Sequence, residues 1–192
     1  MKFSAKGTRC KMEERAIKAV LFDLGNVVVK IDTSALTREW AAAGKASEKD
    51  SMEYFLDSKN MNRYMEGKLT SSQFYEKTRR LFKLGLKYND FYRVWNSIFL
   101  PYPEMEELIR AIRAKYPDIR LGLVSNTNES HYEHIREHYE ILDAFDFHVV
   151  SHVIGIQKPN SKIFQEALRL AGTLARNTFF TDDREDLIAG QG

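Results

Sequence analysis

The segment IKAVLFDLGNVVV, residues 17–29, is an almost wholly apolar run that stops at one carboxylate, Asp23, and then turns at Gly25. A short, β-branched apolar run is typical of a strand buried on both faces of a parallel sheet. In open α/β sheets, ligands bind beyond the carboxyl ends of the strands, which is where Asp23 lies. Asp23 is therefore the first candidate catalytic residue, although Asp and Gly are also ordinary turn formers.

Length and composition restrict the class of protein. The 192 residues suffice for one large domain or for one domain with a smaller insertion. The 29 Lys and Arg against 27 Asp and Glu leave a net charge of +2, so we expect no nucleic-acid partner. No window reaches the ~18 uninterrupted apolar residues of a membrane span, so we expect no membrane partner.

The amino-terminal segment and the cysteine count indicate the compartment. Met1 to Glu14 is polar and has no apolar signal-peptide region, so we expect residues 1–14 to form a flexible tail. A single cysteine, Cys10, excludes an intramolecular disulfide and fits a reducing compartment. These features predict a cytoplasmic location.

A long helical region follows the first strand. From about Thr33 to Phe99 the apolar residues recur at helical spacing, and there is no proline before Pro101. Residues 70–73 (TSSQ) and 89–90 (ND) are typical helix N-caps. We expect residues 33–100 to form a helical cap of three or four helices, in which Trp40 and Trp95 are packing residues.

Strands and helices alternate in the remainder of the chain. The pattern predicts helices over Glu104 to Lys115, His131 to Tyr139 and Ser161 to Ala171, and strands over Ile119 to Val124, Phe147 to Ser151 and Thr178 to Thr181. This alternation predicts an α/β fold, a doubly wound parallel sheet of the Rossmann-like kind. The core would consist of residues 15–32 and 101–192.

Polar side chains follow three of these strands, at the edge where parallel strands all end. They are Asp23, then Ser125 and Asn126, then Asp182 and Asp183, with Lys158 on the loop before the last strand. Clustered carboxylates repel unless positive charge lies among them, and hard oxygen ligands suit Mg²⁺. A hydroxyl, an amide and a lysine bind phosphate oxygens. The set predicts phosphoryl transfer.

Four segments resemble the motifs of the haloacid dehalogenase-like (HAD) hydrolases. They are FDLGNV at 22–27, VSNT at 124–127, QKP at 157–159 and FTDDRED at 180–186, in the family's order and at the predicted strand ends. The resemblance covers the chain from about Ile17 to its end, and the first motif is most similar to that of glucose-1-phosphatase-like sugar-phosphate phosphatases. It implies a HAD core with an inserted helical cap.

The resemblance also implies roles for individual residues. Asp23 would attack phosphorus and form an aspartyl phosphate, while Ser125, Asn126 and Lys158 bind the phosphoryl group. Mg²⁺ would be held by Asp23, the backbone carbonyl of Gly25, and Asp183 with Asp182 close by; Asp183 is the favoured direct ligand. Asp186 would support Lys158 or the metal. The implied partner is a small phosphorylated metabolite such as a sugar phosphate.

The chain departs from the family's phosphatases at Gly25, where they usually carry a second aspartate as general acid and base. Since general acid catalysis contributes ~10²–10⁴-fold, we expect a slower phosphatase or a substrate whose leaving group needs little protonation. Two alternatives stay open. One is a dehalogenase, whose halide leaves unprotonated, although its fourth motif differs from Asp182-Asp183. The other is a weakly active or inactive HAD-fold binding protein.

Three further expectations concern residues outside these motifs. His131, His134 and His138 share one helix face with zinc-like spacing, but no Cys or acidic partner is arranged with them, so we interpret them as structural. Arg63 or Lys68 is a candidate for recognising an anionic substrate. Because the chain stops at Gly192, we expect the strand from Thr178 to be an exposed edge unless a homodimer covers it.

Overall fold

The structure is a computed structural model that describes residues 16–189. The predicted tail, residues 1–14, and Gly192 lie outside the described residues. The strands are β1 Ala19–Phe22, β2 Lys30–Ile31, β3 Phe99–Leu100, β4 Arg120–Ser125, β5 Phe147–Val150 and β6 Thr178–Thr181. The helices are α1 Ser34–Ala43, α2 Glu48–Asp57, α3 Lys59–Met65, α4 Ser71–Phe82, α5 Tyr88–Asn96, α6 Pro103–Lys115, α7 Glu129–His138, α8 Ser151–Ile154, α9 Ser161–Ala171 and α10 Glu185–Ala189. Short 3₁₀ turns cover Glu140–Ala144 and Ala175–Asn177.

Four parallel strands form the central sheet in the order β5-β4-β1-β6. Side chains alternate across the sheet, so neighbours in one strand pack in different layers. Leu21 packs on one face with Ile163 and Phe164 of α9, whereas Phe22 belongs to the cluster on the other face that includes Ile109 of α6. Helices flank both faces, which confirms the predicted doubly wound α/β fold.

Gly122 in β4 lies between large side chains of the two neighbouring strands. A Cβ atom at this position would lie 2.4 Å from the ring of Phe147 and 2.8 Å from Leu21 Cδ2. Both distances are shorter than van der Waals contact, so a side chain here would force the side chains of Phe147 and Leu21 to move. Glycine is therefore favoured by space and not by backbone conformation.

The helical region contains five helices, α1 to α5, where the sequence pattern indicates three or four. Its core is a stack of aromatic rings, in which Trp40 and Trp95 lie 5.7 Å apart at an interplanar angle of 12°. Both tryptophans are fully buried, so they are packing residues as expected. The extent of this cap as a separate domain stays a prediction.

Two short strands connect the helical region to the sheet. β2 and β3 pair antiparallel, with Lys30 opposite Leu100 and Ile31 opposite Phe99. The prediction that the helical character continues to Phe99 is therefore wrong at its end, because Phe99 pairs with Ile31 through a backbone ladder that the helical pattern cannot reveal.

Helix starts were predicted with mixed success. Thr70 and Gln73 form a reciprocal capping box at the start of α4, as predicted. Asn89 and Asp90, in contrast, lie inside α5, which begins at Tyr88 with no side-chain cap.

Among residues 16–189, no helix combines the length and the apolar character needed to cross a bilayer.

Candidate active site

A lysine between two aspartates forms the centre of the site. Lys158 Nζ lies 2.6 Å from Asp23 Oδ1 and 2.5 Å from Asp182 Oδ2. Asp23 directly follows β1 and Asp182 directly follows β6, and the two adjacent parallel strands bring their ends together. The Asp23 amide also donates to the Thr181 carbonyl at 2.9 Å, which extends the ladder to the nucleophile candidate. All three residues are buried.

Burial sets the electrostatics of Asp23. Removal from water raises the pKa of this carboxyl from 3.8 to about 6, although the Lys158 ammonium opposes the shift. The neighbouring charge of Asp182 raises the pKa further. One lysine therefore faces more carboxylate charge than it can neutralise, and an additional cation near Asp23 would favour the ionised, nucleophilic form.

The third acid of the cluster is Asp183. Ligand oxygens of Asp23, Asp182 and Asp183 all lie within 4.8 Å of one another. Asp182 has both oxygens engaged, one by Lys158 Nζ and the other by the backbone amide of Arg184 at 3.0 Å. Asp183 is exposed and accepts a hydrogen bond from Asn26. A set of hard carboxylate oxygens fits Mg²⁺. Because both oxygens of Asp182 already accept hydrogen bonds and Asp183 is exposed, Asp183 is the better candidate for a direct metal ligand.

Asn26 holds Asp183, a contact that the sequence patterns did not reveal. Its Nδ2 donates to Asp183 Oδ2 at 3.0 Å, and its Oδ1 accepts from the Ile31 amide at 3.0 Å. The backbone of Asn26 is left-handed, with φ of +57°, a conformation that asparagine tolerates better than most residues. Asn26 lies within the first motif, and the turn-forming pair Gly25-Asn26 is the sequence signal that could have identified it.

Ser125 and Asn126 lie at the end of β4, as predicted, but they make different contacts. Ser125 is 2% exposed and lines the cavity beside Asp23. Asn126 binds the backbone of Lys158 twice: its Oδ1 accepts from the Lys158 amide at 2.7 Å, and its Nδ2 donates to the Lys158 carbonyl at 3.0 Å. Asn126 therefore positions the lysine.

Asp186 contacts Arg184 and not Lys158, which the resemblance offered as one of its partners. Its carboxylate accepts hydrogen bonds from the Arg184 guanidinium, at 2.8 and 3.2 Å, and the side chain is exposed. Lys158 instead contacts Asp23 and Asp182. Asp186 is the last residue of the fourth motif, and its position in the sequence does not show that its carboxylate pairs with Arg184.

A cavity of about 780 Å³ opens in front of Asp23. Residues of the core around Lys158 line its floor. Residues of α2, of α3 and of the paired strands β2 and β3 line its other walls. Gly25 is among the lining residues, and a Cβ atom placed there would lie 2.6 Å from Ile31 Cδ1. A methyl group thus occupies the space that a side chain at position 25 would enter.

Arg63 and Lys68 do not line this cavity, contrary to the expectation that one of them recognises an anionic substrate. They line a second cavity of about 380 Å³, together with Lys77 and Arg80. Residues two apart on a helix point to opposite sides. Met61 therefore lines the cavity in front of Asp23, whereas Arg63 lines the second cavity.

His131 is a buried structural residue. Its Nε2 donates to the Trp95 carbonyl at 3.1 Å, and its Nδ1 accepts from Asn128 Nδ2 at 3.0 Å. Burial lowers the pKa of His131 to about 3, so the ring is neutral, and it stacks on Trp95 at 4.5 Å. The rings of His134 and His138 lie 4.3 Å apart with an interplanar angle of 30°. These contacts agree with the structural interpretation of the three histidines.

Comparison with known proteins assigns the family. The model of the haloacid dehalogenase-like hydrolases matches residues 17–191, nearly the whole chain. The chain belongs to this family. As a HAD-family hydrolase, it has the parallel sheet and the motif order that its sequence predicted.

The relatives differ in the activities for which they are named and in how much of their length is matched. A sesquiterpene phosphatase from Aspergillus oryzae is 25% identical over 183 residues, which cover 91% of this chain and 85% of that protein. A pyrimidine 5'-nucleotidase from Escherichia coli is 32% identical over 120 residues, covering 59% of this chain and 52% of that enzyme. A yeast relative is matched over 24% of its length, so this HAD chain spans a quarter to a half of two of these proteins.

Solved structures show the same HAD fold. A HAD family enzyme from Bacteroides thetaiotaomicron superposes with a TM-score of 0.81 at 23% identity, over 92% of this chain and 89% of that one. Another structure of that enzyme is a complex with magnesium and inorganic phosphate, with a TM-score of 0.80 at 22% identity and the same coverage.

Proposed function

We propose that this HAD-family hydrolase is a Mg²⁺-dependent phosphatase of small phosphorylated metabolites. The observation that carries the proposal is the position of Lys158 Nζ between Asp23 and Asp182, with Asp183 beside them at the edge of a cavity. A buried lysine and a cluster of carboxylates at one sheet edge supply both a phosphate ligand and a metal ligand set.

Asp23 would act as the nucleophile. A carboxylate oxygen of Asp23 forms a bond to phosphorus while the bond from phosphorus to the ester oxygen breaks, which leaves an aspartyl phosphate. Water then attacks phosphorus, the bond to Asp23 breaks, and inorganic phosphate is released. Lys158 and the Ser125 hydroxyl would bind the phosphoryl oxygens, whose charge grows in each step. The backbone of Lys158 is held by two hydrogen bonds with Asn126, one accepted from Asn126 Nδ2 and one donated to Asn126 Oδ1.

The residues that would hold Mg²⁺ are Asp23, Asp183 and the backbone carbonyl of Gly25, with Asp182 close by. When bound, the metal would neutralise phosphoryl charge and lower the pKa of Asp23. Asn26 would orient Asp183 for this role through its 3.0 Å hydrogen bond. Asp186 has no part in the proposal.

The names of the relatives support a phosphate substrate without defining it. Both the sesquiterpene phosphatase and the pyrimidine 5'-nucleotidase are named for cleaving phosphate from an organic group. The resemblance noted in the first motif adds sugar phosphates to the candidates. A cytoplasmic location and a monomeric or homodimeric state complete the proposal.

The experiment is phosphate release from p-nitrophenyl phosphate and from a panel of metabolite phosphates, with Mg²⁺ and with excess EDTA. We expect Mg²⁺-dependent turnover that falls by about 10³-fold or more in Asp23→Asn, because the amide is a poor nucleophile. The matched control is Asp186→Asn, an exposed aspartate paired with Arg184, which should retain activity.

A folded wild-type protein that releases no phosphate from any substrate would overturn the proposal. Halide release from 2-haloacids would then identify a dehalogenase. Absence of both activities, with calorimetric binding of phosphorylated compounds, would identify a binding protein.

A further inference from the structure

We infer that the substrate of this site carries an apolar organic group on its phosphate and no second negative charge. The inference rests on the proposed function, because it concerns what is attached to the phosphoryl group that Asp23 attacks. It departs from the sugar phosphates that the first motif suggested. The side of the cavity that faces away from Lys158 carries the argument.

The cap side of the cavity carries four apolar side chains beside the polar residues Asp57, Asn62 and Glu66. The last turn of α2 contributes Phe55 and Leu56, and one face of α3 contributes Met61 and Met65. Leu56 is 67% exposed, so its side chain is accessible to a ligand in the cavity. Methionine side chains adapt to irregular apolar shapes, so this wall suits a hydrocarbon body better than a polyol.

The paired strands β2 and β3 continue the apolar wall. Ile31 of β2, Phe99 of β3 and the preceding Ile98 all line the cavity. Ile31 Cδ1 occupies the space next to Gly25, where a side chain would otherwise face the leaving group. A hydroxyl-rich leaving group would give up water against these apolar surfaces, and on the cap side only Asp57, Asn62 and Glu66 among the described lining residues of α2, α3 and the turn after α3 could return hydrogen bonds.

The charges on the cap side exclude an anionic leaving group. Asp57 and Glu66 line the cavity there, and within residues 16–189 the lining cations are Lys158 and Arg184 on the core side. Lys158 is engaged by Asp23 and Asp182, and Arg184 by Asp186. Lys68 pairs with Glu66 at 2.6 Å, but it lines the second cavity with Arg63. A second carboxylate or phosphate on the substrate would therefore meet negative charge.

The test compares primary phosphate monoesters that differ only in the organic group. Cyclohexylmethyl phosphate and glucose 6-phosphate differ in ring hydroxyls, and benzyl phosphate and 4-carboxybenzyl phosphate differ in one negative charge. We expect kcat/KM to be higher by at least ~10-fold for the apolar member of the first pair and for the uncharged member of the second. Equal values, or preference for glucose 6-phosphate, would overturn the inference and leave the proposed phosphatase intact.

A charge variant tests the wall directly. Leu56→Lys should raise kcat/KM for 4-carboxybenzyl phosphate by ~5-fold or more and lower it for benzyl phosphate. The matched control is Leu81→Lys on α4, a leucine 57% exposed that does not line the cavity, and it should change neither value. Identical behaviour of the two variants would contradict the assignment of this wall.

If the protein hydrolyses none of these esters, the proposed phosphatase function is contradicted. The inference about the organic group can still be tested by binding. Calorimetry would then compare binding of the hydrolysis-resistant benzylphosphonate and 4-carboxybenzylphosphonate. Tighter binding of the uncharged probe by ~10-fold, reduced in Leu56→Lys, would support an apolar site, and equal binding would overturn it.

Discussion

At the scale of single residues, Gly25 and Lys158 show two opposite relations to the family pattern. Lys158 is present in its motif, and its ammonium contacts Asp23 on one side and Asp182 on the other. Gly25 lacks the side chain that the family's phosphatases use for proton transfer, and Ile31 Cδ1 fills the adjoining space. Gly25 has no side-chain carboxyl group, so the leaving group would depart without a proton donor at this position.

Gly25→Asp should therefore restore general acid catalysis. Ile31 Cδ1 is the end of a flexible side chain, so it can shift by the few tenths of an ångström to about one ångström that the new Cβ requires. We expect kcat for benzyl phosphate to rise by ~10-fold or more, and kcat for p-nitrophenyl phosphate to change little, because nitrophenolate leaves without a proton.

Gly25→Asn is the control for this prediction, since it has the same size without the acid. Steady-state rates on both substrates check the outcome. A similar gain in the asparagine variant would show that the effect is steric and not proton transfer.

At the scale of elements, the turn after β1 and the helix starts show what local sequence reveals. The turn places Asn26 in the left-handed region, and its side chain then reaches both Ile31 and Asp183. The capping box at Thr70 was predictable, because it involves residues three apart and backbone groups that every helix start leaves unpaired. Asn89 and Asp90 are equally good capping residues, yet both lie inside α5, which begins at Tyr88 and buries Phe91 and Trp95.

Asn26→Gly should weaken Mg²⁺ binding while it preserves the turn. Glycine adopts the φ of +57° without strain, so the loss reports the two side-chain hydrogen bonds of Asn26, one donated to Asp183 and one accepted from the Ile31 amide. Removal of a group that orients a metal ligand typically costs ~10–100-fold in affinity, and we expect the Mg²⁺ concentration for half-maximal activity to rise by about tenfold.

Lys83→Gly is the matched control, because Lys83 has φ of +52° at the end of α4, away from the acidic cluster. Its Mg²⁺ titration should match the wild type. An unchanged titration in Asn26→Gly would show that Asp183 does not need this contact.

At the scale of the whole molecule, the helical cap and the core are joined by one continuous buried cluster. Phe22 of the sheet, Trp95 of α5 and Phe99 of β3 all belong to it. His131 lies where these parts meet, stacked on Trp95 and edge-on to Phe99, and it donates to the Trp95 carbonyl. β6 is an edge of the described sheet, paired with β1, and Phe179 on it is 56% exposed, so the predicted coverage by a homodimer stays a prediction.

Burial of neutral His131 should make stability fall in acid. Its pKa is lowered to about 3 in the folded protein, whereas it is about 6.5 in the unfolded chain, so the unfolded chain takes up a proton first as the pH falls. The stability present above pH 6.5 is lost progressively toward pH 3, by about 2 kcal/mol between pH 7 and pH 5 from this residue.

Urea unfolding of His131→Gln at both pH values checks this prediction. The variant should lose less stability between pH 7 and pH 5 than the wild type, whatever its absolute stability. His138→Gln, an exposed histidine on the same helix, should keep the wild-type pH dependence. Equal pH dependence in His131→Gln would mean that another group carries the acid sensitivity.

The sequence by itself determined the fold class, because hydrophobic periodicity is a local property of each segment. It also indicated that Asp23, Asp182 and Asp183 lie close together, because each follows a strand and parallel strands end at the same edge of a sheet. Only the tertiary structure decided that Asn26 reaches Asp183, 157 positions away, that Asp186 turns to Arg184, and that Met61 and not Arg63 faces the cavity. These contacts depend on how each helix is rotated about its axis and on which loops lie next to each other in the fold. The pattern of side chains along one segment carries no information about the distant segments that pack against it.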